Sequence, residues 1–183
     1  MSDKLCQHRS EIDQKFKWDI EAMYPDESLW EKDLEECMQE ASNFSRFKGK
    51  ITESAHTLYD ALEAKDRIFR KLEHAFVYAA MKKDEDNRVT KYQSMDDKCG
   101  SAIAKISASL SFFAPELLEA EPETIQKYIA ENPKLELYRF ALEDALREKE
   151  HVLSTAEENI LAQLSEVTGA SGDIFKMLNN ADL

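Results

Sequence analysis

Four glycines and four prolines in 183 residues are too few for a fold built on tight turns. They also leave no nucleotide cradle, since neither a Gly-rich phosphate loop nor a G-x-S-x-G elbow occurs. Cysteine is scarce: Cys6, Cys37 and Cys99 form an odd set without C-x-x-C spacing. That argues against a disulfide framework and for reduced, mostly buried thiols. No apolar run approaches the ~20 residues needed to cross a bilayer. The opening Met1-Ser-Asp-Lys-Leu-Cys-Gln-His-Arg9 is too polar for a signal peptide. A cytoplasmic protein with no membrane partner is the expectation. Positive charge is also short, with 24 Lys and Arg against 37 Asp and Glu and a formal net charge of -13. Whole-chain attraction to nucleic acid is therefore disfavoured. The histidines His8, His56, His74 and His151 are scattered and none is followed by Glu. The H-E-x-x-H pair of a zinc peptidase is absent, so neither a metal site nor catalysis is expected from this chain alone.

What the chain does have is helix. Hydrophobic residues make up 43% and charged residues 33%, rich in Leu, Ala, Glu and Lys, with few breakers. The expected fold is all-α, an antiparallel multi-helix stack with a central long-helix hairpin, and a single domain over residues 1–183 with 1–14 disordered. Trp18, Ile20, Met23 and Tyr24 suit an arm anchored on a helical body, and Pro25 directs Tyr24 out of helical geometry. Ser28 and Glu31 have capping-box spacing, predicting a helix from 27 to 46. Gly49 is placed to close it. Short and long helices are predicted over 53–63 and 65–83, the second burying Ile68, Leu72, Phe76 and Ala79. Asp84, Glu85 and Asp86 lack calcium-loop spacing and read as helix end and cap. A heptad-like seam over 89–113 includes Cys99, Ile103, Ile106 and Leu110, with Pro115 stopping the helix. Leu72, Phe76, Ile103, Ile106 and Leu110 are the expected hairpin core. Pro122 opens a short helix that ends before Asn132-Pro133.

The most informative stretch follows. Leu142, Ala145 and Leu146 stripe a helix over 135–149, His151 stands at the turn, and Ser154 with Glu157 opens a helix over 155–166. Gly169 and Gly172 mark a break before one or two turns over 174–178. Arg139 is at i, i+4 spacing from Glu143 and reads as an ion pair. His151 reads first as a cap on helix-end carbonyls, second as a substrate-facing imidazole.

The block Tyr138-Arg-Phe-Ala-Leu-Glu-Asp144 with Lys149-Glu-His-Val-Leu-Ser154 resembles the N-terminal region of the oligoendopeptidase F branch of zinc metallopeptidases. Trp18 to Pro25, Tyr78 to Asp86, Tyr92-Gln93, Ser111 to Leu117 and Ile174 to Leu183 extend the resemblance in order and spacing. Glu150 departs from the proline common before the histidine in that family. The resemblance implies an almost wholly helical fold whose N-terminal helices wall a channel for short peptides. It also implies that zinc and its H-E-x-x-H ligands lie in a catalytic half beyond the residues present here. On that reading the missing half is the partner, and Tyr138, Arg139, Phe140, His151 and Phe175 are the candidate channel or interdomain contacts. The alternative is a standalone helical interaction module without catalytic activity.

Overall fold

A computed structural model describes residues 11–85, 89–149 and 175. Among the described residues every regular element is α-helix or 3-10 turn. The chain divides into two compact units, Met1–Arg139 and Phe140–Leu183.

In the first unit, α1 (Glu27–Asn43), α2 (Ala55–Glu85) and α3 (Thr90–Leu110) pack against one another. Cross-links set their directions. Trp30 Nε1 donates to the Ala75 carbonyl at 2.9 Å, and Lys71 and Arg67 reach Glu36 and Glu40 at 2.6 and 2.8 Å, so α1 and α2 run antiparallel. Lys83 meets Asp96 at 2.5 Å across the α2–α3 hairpin. Lys91 and Lys98 meet Glu27 and Glu31 at 2.6 and 3.1 Å, so α1 and α3 run parallel. The core between them comprises Trp30, Leu34, Cys37, Ile68, Leu72, Ala75, Cys99, Ile106 and Leu110.

The central hairpin is therefore present, with changes of detail. The helices expected over 53–63 and 65–83 are one 31-residue helix, because nothing between Ala55 and Glu85 breaks it and Ala64 is a strong helix former. Its N-terminus is satisfied by Ser54, whose Oγ accepts the Thr57 amide at 3.0 Å. Phe76 is 38% exposed and Ile103 is half-buried, so neither belongs to the sealed core. The buried row on α2 steps from Leu72 to Ala75 and Ala79, where a small side chain lets α1 approach. The cap of α1 is Asp26, which accepts the Ser28 amide at 2.7 Å, so Ser28 lies inside the first turn. Trp18 is exposed, whereas Ile20 and Tyr24 are buried.

Helix α1 also ends earlier than expected, tightening into a 3-10 turn at Phe44–Phe47. At three residues per turn Phe44 and Phe47 eclipse, and both go into the core with their ring centroids 5.2 Å apart. Gly49 then takes φ 74°. Pro115 does not stop α3, which ends at Leu110; it stands in the first turn of α4 (Phe113–Leu118), where its missing N–H costs nothing. Helix α5 (Pro122–Glu131) buries Ile125 and Ile129, and a 3-10 turn at Pro133–Tyr138 buries Leu135. The tighter turn replaces the first part of the helix expected over 135–149. Asn132 caps it by accepting the Lys134 amide at 3.2 Å, with Pro133 at its first position.

The second unit is described over α6 (Arg139–Glu148), which starts at the boundary, and at Phe175. Leu142 is buried, and Arg147 pairs with Asp144. The turn at His151, the capped helix over 155–166, the Gly169 and Gly172 break and the Asp86 position of the acidic cap lie outside the described residues, as do residues 1–10.

Candidate contact surface

Tyr138 and Arg139 close the first unit against two helices. The Tyr138 ring stands edge-on to Tyr59 of α2, with centroids 6.3 Å apart. Burial pushes its hydroxyl up to about 12, helped by a hydrogen bond to Asp66 and by the charges of Asp66 and Glu63. The phenol thus remains a neutral donor through the physiological range. Arg139 acts as a rivet. Its Nε and one terminal nitrogen each reach a Glu136 oxygen at 2.8 Å, and the other terminal nitrogen reaches Gln126 Oε1 at 3.0 Å. The guanidinium hydrogen bond holds the Glu136 carboxyl below its usual range. This bidentate partner is one turn before Arg139, on the 3-10 turn.

Next to this corner, the N-terminal end of α2 opens a cleft of about 650 Å³ lined by His56, Tyr59, Asp60, Glu63, Glu131 and Lys134 among others. His56 Nε2 lies 3.3 Å from Asp60 Oδ2, and the Lys134 ammonium sits 5.2 Å from the Tyr59 ring centre. Asn132 and Tyr128 tie the α5 side to the Ala55 and Thr52 carbonyls at 3.5 and 2.8 Å. The cleft thus offers carboxylates, one aromatic face and the Asn132 amide. Among the described residues no group of three or more His, Cys, Asp or Glu is placed to hold a metal ion. These donors do not fit a zinc site.

Of the five residues singled out from sequence, the structure joins Tyr138 and Arg139 to one corner of the first unit. Leu137, beside them in the chain, is 82% exposed. Phe140 and Phe175, in the second unit, are 75% and 67% exposed. His151 lies outside the described residues. Tyr59, Glu63 and Asp66 were missed as neighbours of Tyr138. Their i, i+4, i+7 spacing marks one helix face, but only when 55–85 is read as a single helix.

The Oligopeptidase F family model matches residues 116–183. The chain is 36% identical to oligopeptidase PepF of Bacillus subtilis over 96% of its own length and 26% of the relative's. It is 37% identical to group B oligopeptidase PepB of Streptococcus agalactiae, covering 98% of this chain and 30% of that one. The crystal structure of oligoendopeptidase-F from Enterococcus faecium superposes with a TM-score of 0.70 at 34% identity, over 86% of this chain and 31% of that chain. The chain thus spans between a quarter and a third of the length of these relatives. The resemblance to the N-terminal region of oligoendopeptidase F-type peptidases, read first from Tyr138 to Ser154, holds in sequence and in fold.

Proposed function

We propose that this chain serves as the N-terminal helical domain of an oligoendopeptidase F-type zinc metallopeptidase and forms one wall of the channel that admits short peptides. The observation that carries the reading is the likeness to the Enterococcus faecium oligoendopeptidase-F, 34% identical with a TM-score of 0.70 over 86% of this chain. The polar cleft at the start of α2, with its carboxylates and the Tyr59 ring, supplies chemistry suited to an extended peptide. Zinc, its ligands and the water it activates belong on this reading to a catalytic half outside these residues. The role of the present chain is to position and confine substrate, in the cytoplasm, with that half and short peptides as partners.

A chimera tests this. The chain replaces the matching segment of the Bacillus subtilis relative, and hydrolysis of a quenched fluorescent peptide is followed. Hydrolysis within about tenfold of the unaltered relative is expected, with KM shifted more than kcat because the wall binds rather than reacts. A chimera that folds and holds stoichiometric zinc yet leaves the peptide intact overturns the proposal.

A further inference from the structure

The arm that precedes α1 is fastened to the bundle by side chains. Its backbone hydrogen bonds are local: Phe16 to Asp13, Lys17 to Gln14, Ala22 to Asp19 and Met23 to Ile20. Ile20 and Tyr24 insert into the core at 2% and 4% exposure. The Tyr24 hydroxyl donates to Asp33 Oδ2 at 2.9 Å, and its ring packs on His74 and Tyr78, with centroids 4.7 and 5.1 Å away. Between those two anchors Glu21 reaches Lys82, the one buried charged side chain among the described residues. The Lys82 ammonium lies 5.9 and 5.8 Å from the ring centres of Tyr78 and Tyr92, and Glu85 of the same helix is 3.6 Å away.

We propose that residues 13–25 are a latch, a strap that opens from the bundle as a unit, with the Glu21 carboxylate on Lys82 as its catch. An ammonium shut away from water is costly, and its partners repay that cost only while they are in place. With the strap down, Lys82 is desolvated and Glu21 compensates; with the strap up, water returns to Lys82 and the cost disappears. A methionine at 82 would seal the same hole without that relief on opening. Lifting the strap therefore costs the Glu21–Lys82 pairing and the burial of Ile20 and Tyr24, and leaves the three helices packed. Burial works against the charge on Lys82, but Glu21 and Glu85 outweigh it and raise the ammonium's affinity for its proton, so Lys82 stays charged. Once lifted, the strap bares Tyr78 and Lys82, a cationic and aromatic surface at the far end of α2.

Hydrogen exchange on the full chain tests this through the Ala22 and Met23 amides, both held by strap-internal hydrogen bonds. The side chain of Glu21 is 65% exposed, so Glu21→Gln keeps the fold intact. Its expected effect is roughly tenfold faster exchange at Ala22 and Met23, with the Leu72 and Ile106 amides unchanged. In a Lys82→Met background the same substitution should do nothing, because the catch is already gone. Three results would each overturn the latch: unchanged exchange at Ala22 and Met23 in Glu21→Gln, acceleration shared equally by Leu72 and Ile106, or an undiminished Glu21→Gln effect in Lys82→Met.

Discussion

Replacing Ala75 with leucine probes the contact on which the bundle turns. Ala75 is 0% exposed, and its carbonyl takes the indole N–H of Trp30, itself buried at 1%. An isobutyl group in place of the methyl must displace Trp30 or drive α1 away from α2. Overpacking of this kind costs about 1–3 kcal/mol. Loss of the Trp30 hydrogen bond adds about 1 kcal/mol. A total near 2–4 kcal/mol is expected, read as a lower urea midpoint at unchanged slope by far-ultraviolet circular dichroism. The emission of Trp30 should redden in the native state, against the constant background of exposed Trp18. The control is the next residue: Phe76→Ser removes a larger side chain, but one 38% exposed, and should cost about 1 kcal/mol. If Phe76→Ser lowers the midpoint more than Ala75→Leu, the α2 face assigned here is wrong and the packing argument is refuted.

Burial pushes the Cys37 and Cys99 thiols up to about 11 from an ordinary value of 9.0, so both should resist alkylation at neutral pH until the chain is unfolded. Their contribution to stability is complete below the unfolded value and declines as pH rises from about 9 to about 11, so the urea midpoint should fall across that window. The purified chain should bind no stoichiometric zinc and hydrolyse no peptide; one tightly held zinc lost on His151→Ala, found by metal analysis, contradicts this. Polar replacement of Phe140 and Phe175, which are 75% and 67% exposed, should reduce self-association and hydrophobic-dye binding with helix content unchanged. A parent chain that is already a dye-silent monomer would count against a contact role for these rings.

Helix content and the hairpin were legible because periodicity and a shortage of breakers act over many residues at once. What escaped were choices between neighbours. Phe76 is the more hydrophobic residue, yet Ala75 is buried because Trp30 of α1 needs the space above it. That decision is made by a helix 45 residues away, and no window along α2 contains it. Ser28 satisfies a capping pattern, but Asp26, extended after Pro25, accepts the Ser28 amide and starts the helix two residues earlier. At the candidate surface the motif around Tyr138 and Arg139 named two residues that the structure brings together with Tyr59, Glu136 and Gln126. Its partners Tyr59 and Asp66 come from a helix distant in sequence, Gln126 comes from α5, and Arg139 reaches Glu136 on the preceding 3-10 turn.

Helix α2 is the longest helix among the described residues. Its 31 residues span about 46 Å, with the C-terminal half inside the three-helix bundle and the N-terminal half carrying α5 and the 3-10 turn that ends at Tyr138. Such a rod behaves as a lever with its fulcrum in the bundle core. A tilt of a few degrees, too small to disturb Leu72 or Ala75, sweeps Tyr59 and the cleft beside it through a distance comparable to a bond length. The geometry of that wall is thus set by how firmly the other end is gripped. A glycine at Ala64, where α2 leaves Phe44 and Phe47, would weaken the rod by about 1 kcal/mol at that point.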